Sequence, residues 1–80
     1  MSQENKLVAE IQKNDLEVVR VSLTEYKGKD YFDIRLYYRE DGDWRPTKKG
    51  LTLAIGLLPE LKKAIQALDK ALTQQQKKEL

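Results

Sequence analysis

The chain has 80 residues, neither cysteine nor histidine, and a formal net charge of +2. At this length the expectation is a single domain, residues 1–80, whose core is too modest to be stable without reinforcement. The missing residue types exclude disulfides, Cys/His zinc sites and Ser-His or Cys-His nucleophile pairs, so self-association is the reinforcement left.

No apolar run approaches the ~20 residues of a membrane span, and no stretch has the pattern of a signal peptide. A cysteine-free chain suits the cytosol. The expected location is cytoplasmic, at the nucleoid if the source is bacterial, with no membrane partner. The net charge understates a local pattern. From Arg20 to Lys49 there are eight basic and six acidic residues, and three of the acids crowd into Glu40-Asp41-Gly42-Asp43. That turn can sit apart from a basic face, so a small net charge is compatible with a local cationic groove.

In chain order, Met1 to Asn5 is polar and reads as frayed. Lys6 to Lys13 fits two patterns: Leu7, Ala9 and Ile11 alternate as in a strand, while Leu7, Val8 and Ile11 fit one helical face. The Asn14-Asp15 turn signal that follows favours the strand. Leu16 to Thr24 is a strand with Val19, Val21 and Leu23 on one face and Arg20, Ser22 and Thr24 on the other. Lys27-Gly28-Lys29-Asp30 is a hairpin loop, with Gly28 supplying the positive φ such loops need. Tyr31 to Arg39 is the most regular strand. Phe32, Ile34 and Leu36 face one way, and Tyr31, Asp33, Arg35 and Tyr37 face the other, as in a half-buried antiparallel strand.

A second turn at Glu40–Asp43 leads to a short strand around Trp44 and Arg45. Pro46 cannot donate to a ladder, so that strand is an edge or ends there. Lys48-Lys49-Gly50 reads as a third, basic turn, followed by a last strand over Leu51 to Ile55. The sheet thus occupies about 6–55. From about 57 to 74 the period becomes helical, with Leu58, Leu61, Ile65, Leu68 and Leu72 in a heptad-like stripe. Pro59 requires the helix to begin within a few residues of it, and Gln74 to Leu80 reads as fraying. The stripe can cover the chain's own sheet or pair with a second copy, and dimerisation through it is the expectation.

Basic residues and aromatics interleaved on turns and strands suit a single-stranded nucleic-acid binder, in which cations follow phosphates and rings stack on unpaired bases. The alternative is ordinary cross-strand packing of the rings and a solvated basic face. Tyr38 shares parity with Phe32, Ile34 and Leu36, so it is either a core residue or a ring exposed where the sheet curls. Asp33, Asp41 and Asp43 lack any acid/base or metal-binding spacing, and Gly28, Gly42 and Gly50 are turn glycines, not a phosphate loop. The chain is therefore read as non-enzymatic, with no cofactor and no metal.

Tyr26-Lys27-Gly28-Lys29, Asp33-Ile34-Arg35, Tyr37-Tyr38, Gly42, Pro46 and Lys48-Lys49-Gly50-Leu51-Thr52-Leu53 together resemble the positive cofactor four family of transcriptional coactivators. The resemblance runs from about Val19 to Leu72 in conserved order. It implies an α+β fold: a curved four-stranded antiparallel sheet followed by one C-terminal helix. It also implies a homodimer through the helices, with the sheets forming channels for single-stranded DNA. Carried over by motif, the DNA-contacting positions are Tyr26, Lys27 and Lys29, then Arg35 and Tyr38, then Lys48 and Lys49. Dimerisation falls to Leu58, Leu61, Ile65, Leu68 and Leu72.

The chain departs from the family where Tyr38 stands for a common tryptophan and Thr47 for a common glycine. Glu17 and Thr24 also stand where eukaryotic members tend to be basic. Without a serine- and lysine-rich tail the chain resembles compact bacterial or phage members. The function so implied is sequence-tolerant single-stranded DNA binding in transcription, replication, recombination or repair. RNA binding by the same surface is one alternative. A dimer that docks a transcription or replication protein is another.

Overall fold

The computed structural model describes residues 5–79, with side chains over 5–74. Four strands, β1 (Asn5–Asn14), β2 (Glu17–Tyr26), β3 (Lys29–Glu40) and β4 (Asp43–Ala54), form an antiparallel meander in the order β1-β2-β3-β4. A single 3-10 turn, Ile55–Leu57, leads into helix α1, Leu58–Glu79.

Each connection in the sheet follows from local chemistry. Between β1 and β2 the Asn14 Oδ1 accepts a bond from the Leu16 N–H at 2.9 Å, an Asx turn that closes the hairpin. The β2–β3 and β3–β4 loops are two-residue turns with positive φ at both centres, Lys27 (52°) with Gly28 (79°) and Asp41 (54°) with Gly42 (83°). Their backbone twist matches that of the strands they join.

Two sequence readings are corrected. Lys48-Lys49-Gly50 is not a turn between two strands: β4 runs unbroken from Asp43 to Ala54, and the basic segment lies in a bulge within it. Pro46 is accommodated because β4 is an edge strand, where a missing N–H breaks no ladder. In β1, Leu7 does not share a face with Ala9 and Ile11. The pairing shifts between Leu7 and Ala9, so Leu7 lies opposite Ser22 while Ala9 and Ile11 lie opposite Val21 and Val19. The extra residue, Val8, is what made this segment fit both periods in the sequence.

The sheet has an apolar and a polar face. Val19, Val21 and Leu23 of β2 lie opposite Leu36, Ile34 and Phe32 of β3, with Leu51 and Leu53 of β4 continuing the layer. At one end of this layer Ile55, Leu58 and Leu61 line a half-open apolar pocket of about 200 Å³ together with Val21, Phe32 and Ile34. Pro59, second in α1, sits where its absent N–H has no partner to lose. Beyond Leu61 the helix leaves the sheet. Ile65, Leu68 and Leu72 are 53%, 57% and 46% exposed, so the stripe covers its own sheet only through its first turns.

Burial is correspondingly sparse: among the described residues only Val18 and Phe32 are buried, at 1% and 5% exposure. The chain exposes 6720 Å², whereas a compact chain of 9.3 kDa exposes about 5,000 Å². The radius of gyration of 15.5 Å likewise exceeds the ~12 Å of a compact chain this long.

Candidate nucleic-acid interface

On the polar face the central residues are Arg20, Ser22 and Thr24 of β2 opposite Arg35, Asp33 and Tyr31 of β3, with Gly50 and Thr52 of β4 beyond them. A groove of about 310 Å³ runs here, lined by Ser22, Thr24, Asp33, Arg35, Tyr37 and Thr52 among others. Two basic segments flank it, and the fold builds them differently.

The first is the β2–β3 turn. Tyr26 and Lys29 are its closing pair, so Tyr26, Lys27 and Lys29 cluster at one end of the sheet. Lys27 Nζ lies 5.3 Å from the centre of the Tyr26 ring, within reach of a cation–π attraction. All three side chains are exposed.

The second is the β4 bulge. Between the pairs Arg35↔Gly50 and Tyr37↔Pro46, Leu36 of β3 faces three residues, Thr47, Lys48 and Lys49. Thr47 ties the bulge together: its Oγ1 donates to the Leu36 carbonyl at 2.8 Å and accepts from the Lys49 N–H at 3.0 Å. Arg35 reaches across to the same residue, its Nη1 donating to the Thr47 carbonyl at 2.9 Å. The remainder of that guanidinium forks onto Asp33, Nε to Oδ2 at 3.1 Å and Nη2 to Oδ1 at 2.9 Å. Thr52 Oγ1 adds a bond to Asp33 Oδ1 at 2.6 Å. Gly50 is required where it stands, since a Cβ there would lie 2.7 Å from the Ile34 carbonyl oxygen and 2.9 Å from the Arg35 Cα.

The titration of the central pair follows from this geometry. Burial pushes the Asp33 carboxyl up, but the hydrogen bonds from Arg35 and Thr52 and the guanidinium charge outweigh it, leaving the group below its ordinary value. Arg35 is held above its ordinary value by its bonds to Asp33, with burial opposing and the Asp33 charge assisting. At the β1–β2 end, hydrogen bonds from Asn14 and Lys13 lower Glu17, although burial opposes them, and the nearby charges of Lys13 and Lys49 add to the effect.

Among the described residues, the ion pairs sort the sheet's cations into two groups. Arg20 pairs with Glu10, Arg35 with Asp33, Arg45 with Glu40 and Lys13 with Glu17. Lys6, Lys27, Lys29, Lys48, Lys49 and Arg39 make no ion pair with any described carboxylate. Four of these six cations are the lysines singled out in the sequence. Arg35 differs from them: it is half-buried and three of its five N–H donors are spent within the protein.

Tyr38 does not join the others. It lies two residues past Leu36, opposite Glu17 and Arg45, with the parity of the apolar face. It is not core either, being 37% exposed, with its hydroxyl donating to Glu40 Oε1 at 3.3 Å. The ring that shares the face of Arg35 is Tyr37, opposite Val18 and Pro46. Period-two alternation along β3 already assigned Tyr37 to that face. Thr47 and Gly50 left no comparable signal, because their role depends on atoms of the neighbouring strand.

The profile of the family described as Transcriptional Coactivator p15 (PC4) matches residues 13–64. That span contains β2, β3 and β4 whole and only the last two residues of β1. The chain belongs to the PC4 family. It is similar to the RNA polymerase II transcriptional coactivator KELP of Arabidopsis thaliana, 40% identical over 53 residues, or 66% of this chain and 32% of KELP. It therefore spans about a third of that relative's length. Among solved structures it is similar to BPSL1147, a PC4 homolog from Burkholderia pseudomallei, with TM-score 0.78 at 30% identity, covering 82% of this chain and 98% of that one. It is also similar to MoSub1 in a complex with single-stranded DNA, with TM-score 0.64 at 30% identity, covering 89% and 80% of the two chains. The open four-stranded antiparallel sheet with one following helix is thus the PC4 fold.

Proposed function

We propose that this chain binds single-stranded DNA along the polar face of its sheet, with little regard to sequence, as a dimer serving transcription or DNA replication, recombination or repair. One observation carries the reading: Lys27 and Lys29 at the β2–β3 turn and Lys48 and Lys49 in the β4 bulge, none paired with a described carboxylate, stand in two segments that adjoin the strands lining one polar groove. Lys27, Lys29, Lys48 and Lys49 engage phosphates, and Tyr26 stacks on a base. Arg35 positions the bulge and offers the strand its two remaining N–H donors. Tyr38, with the parity of the apolar face, takes no part in stacking on the polar face. PC4 membership and the likeness to a protein crystallised with single-stranded DNA support the ligand class. A coactivator role rests on the family alone.

Dimerisation uses the part of α1 that leaves the sheet. Leu58, Leu61, Ile65, Leu68 and Leu72 form its stripe, and the last three line an open apolar depression. Burying that surface against a second copy supplies apolar contact that the monomer lacks.

The deciding experiment titrates a fluorescent 20-nucleotide single strand at two salt concentrations, with the matched duplex and the matched RNA as controls. Four lysine–phosphate contacts give log K a slope against log salt of about −3, and duplex binds much more weakly. A slope near zero, or equal affinity for duplex, removes the proposal. Preference for the RNA strand transfers it to RNA.

A further inference from the structure

At the end of the polar face remote from the Lys27 turn lies an array that the lysine sites do not use. The Arg20 guanidinium sits 4.9 Å from the centre of the Tyr37 ring and 5.8 Å from that of Trp44. Arg39 lies 6.0 Å from the Trp44 ring on its own account. Glu10 Oε1 fixes Arg20 at 2.9 Å, so this cation holds the two rings in a set relation without drifting into solvent. Val18, opposite Tyr37 in the ladder, is the most buried side chain described. A buried valine therefore underlies the Tyr37 end of this face.

Packing alone does not account for Arg39, which is exposed, stands over an indole and has no carboxylate partner among the described residues. A cation beside an aromatic face offers a nucleotide both of its needs: a surface for the base and a charge for the phosphate. Position agrees with this. Arg35, Tyr37 and Arg39 occupy alternate places on β3, so they share its polar face at steps of about 7 Å. A single strand running from the Lys27 turn past Arg35 meets Tyr37 next and Trp44 beside it.

We propose that Tyr37 and Trp44, braced by Arg20 and Arg39, form a second base-stacking platform for single-stranded DNA at this end of the sheet. The proposal rests on the single-strand reading given above and extends its track over most of the length of β3. The base stacks on the ring surface left open by Arg20, and Arg39 meets the adjoining phosphate.

Trp44 is the sole tryptophan of the chain, so the unmodified protein reports on its own platform. The full chain is titrated with unlabelled dT20 while the indole emission is followed. Anisotropy of a labelled dT20 measures total binding in parallel, for the wild type, Trp44→Ala and Arg39→Ala. The expected result is quenching of the emission along the same isotherm as the anisotropy, with Trp44→Ala weakening binding about tenfold. Arg39→Ala, an exposed position whose loss leaves the fold intact, weakens it about threefold. Binding by anisotropy with unchanged emission and an unchanged Arg39→Ala affinity overturns the platform and leaves the single-strand reading standing. No binding by either signal removes that reading, and the platform with it.

Discussion

The two basic segments reach the surface by different physical routes. Lys27 and Lys29 stand on a hairpin whose geometry is set by four consecutive residues, and the turn asks nothing of the rest of the molecule beyond the pairing of Tyr26 with Lys29. Lys48 and Lys49 stand on a bulge held from the next strand by the Leu36 carbonyl, the Arg35 guanidinium and, through it, Asp33 and Thr52. A local turn tolerates changes of side chain. A bulge held by five residues of two strands transmits any change in them to its lysines. The first segment is a charge on a self-sufficient support, and the second is one output of a network.

The sharpest way to break this contrast is Gly50→Ala. The added carbon meets backbone on β3, the Ile34 carbonyl oxygen and the Arg35 Cα, and neither can swing aside as a side chain would. Overpacking of this kind costs about 2–3 kcal/mol, a large share of the stability of so small a domain. Thermal unfolding should show a fall of Tm of about 8–24 °C, while alanine at Gly56, where no atom lies within 4 Å, should be nearly silent. Equal shifts for the two variants would show that the strands yield at Gly50 and that the bulge is less constrained than its geometry indicates.

Arg35→Lys comes next and separates charge from position. Lysine keeps the positive charge but cannot fork onto Asp33 while also bonding the Thr47 carbonyl. A loss of about 1–2 kcal/mol in stability and a several-fold fall in affinity for single-stranded DNA are expected, with nearly the same salt slope. If Arg35 acted only as a phosphate cation, lysine would retain the affinity. The same network gives the pH dependence. Because Asp33 is lowered in the folded state, its contribution to stability is fully present above an aspartate's ordinary value near 3.8. It is lost as pH falls through the lower folded value. The stability difference between the wild type and Asp33→Asn, measured by denaturant titration, should therefore hold from pH 7 to about pH 5 and shrink as acid protonates the carboxylate. A difference that stays constant to pH 3 would mean that the ion pair contributes nothing.

This division also explains what the sequence disclosed. The β2–β3 hairpin, the alternation along β3 and the helix stripe are local patterns, and they were readable because each residue's neighbours in sequence are also its neighbours in space. Lys48-Lys49-Gly50 carries every mark of a turn, yet it lies mid-strand. The partners that decide its shape, Leu36 and Arg35, are more than ten residues away in the chain and enter only through strand pairing. Val8 misled for the same reason. The extra residue breaks the alternation of β1, and only the register against β2 reveals it. Tyr38 shows the limit of carrying a role over by motif alone. Its parity with Phe32, Ile34 and Leu36 already set it apart from Arg35, and the structure keeps it there.

The smallest expected effect tests the self-sufficient half of the comparison. Lys27 adopts φ of 52°, a conformation that is unfavourable for lysine and much better suited to asparagine, the residue preferred before glycine in this turn type. Lys27→Asn should therefore stabilise the fold by about 0.5 kcal/mol, raising Tm by about 2–4 °C. It should also remove one phosphate contact, making the salt slope shallower by about 0.7. Stability and binding then move in opposite directions, which no substitution within the bulge network should achieve, since there the support and the charges fall together. A Lys27→Asn protein that is less stable than the wild type would mean that the lysine contributes more through the Tyr26 ring than its strained backbone costs. The first segment would then be coupled to its surroundings after all.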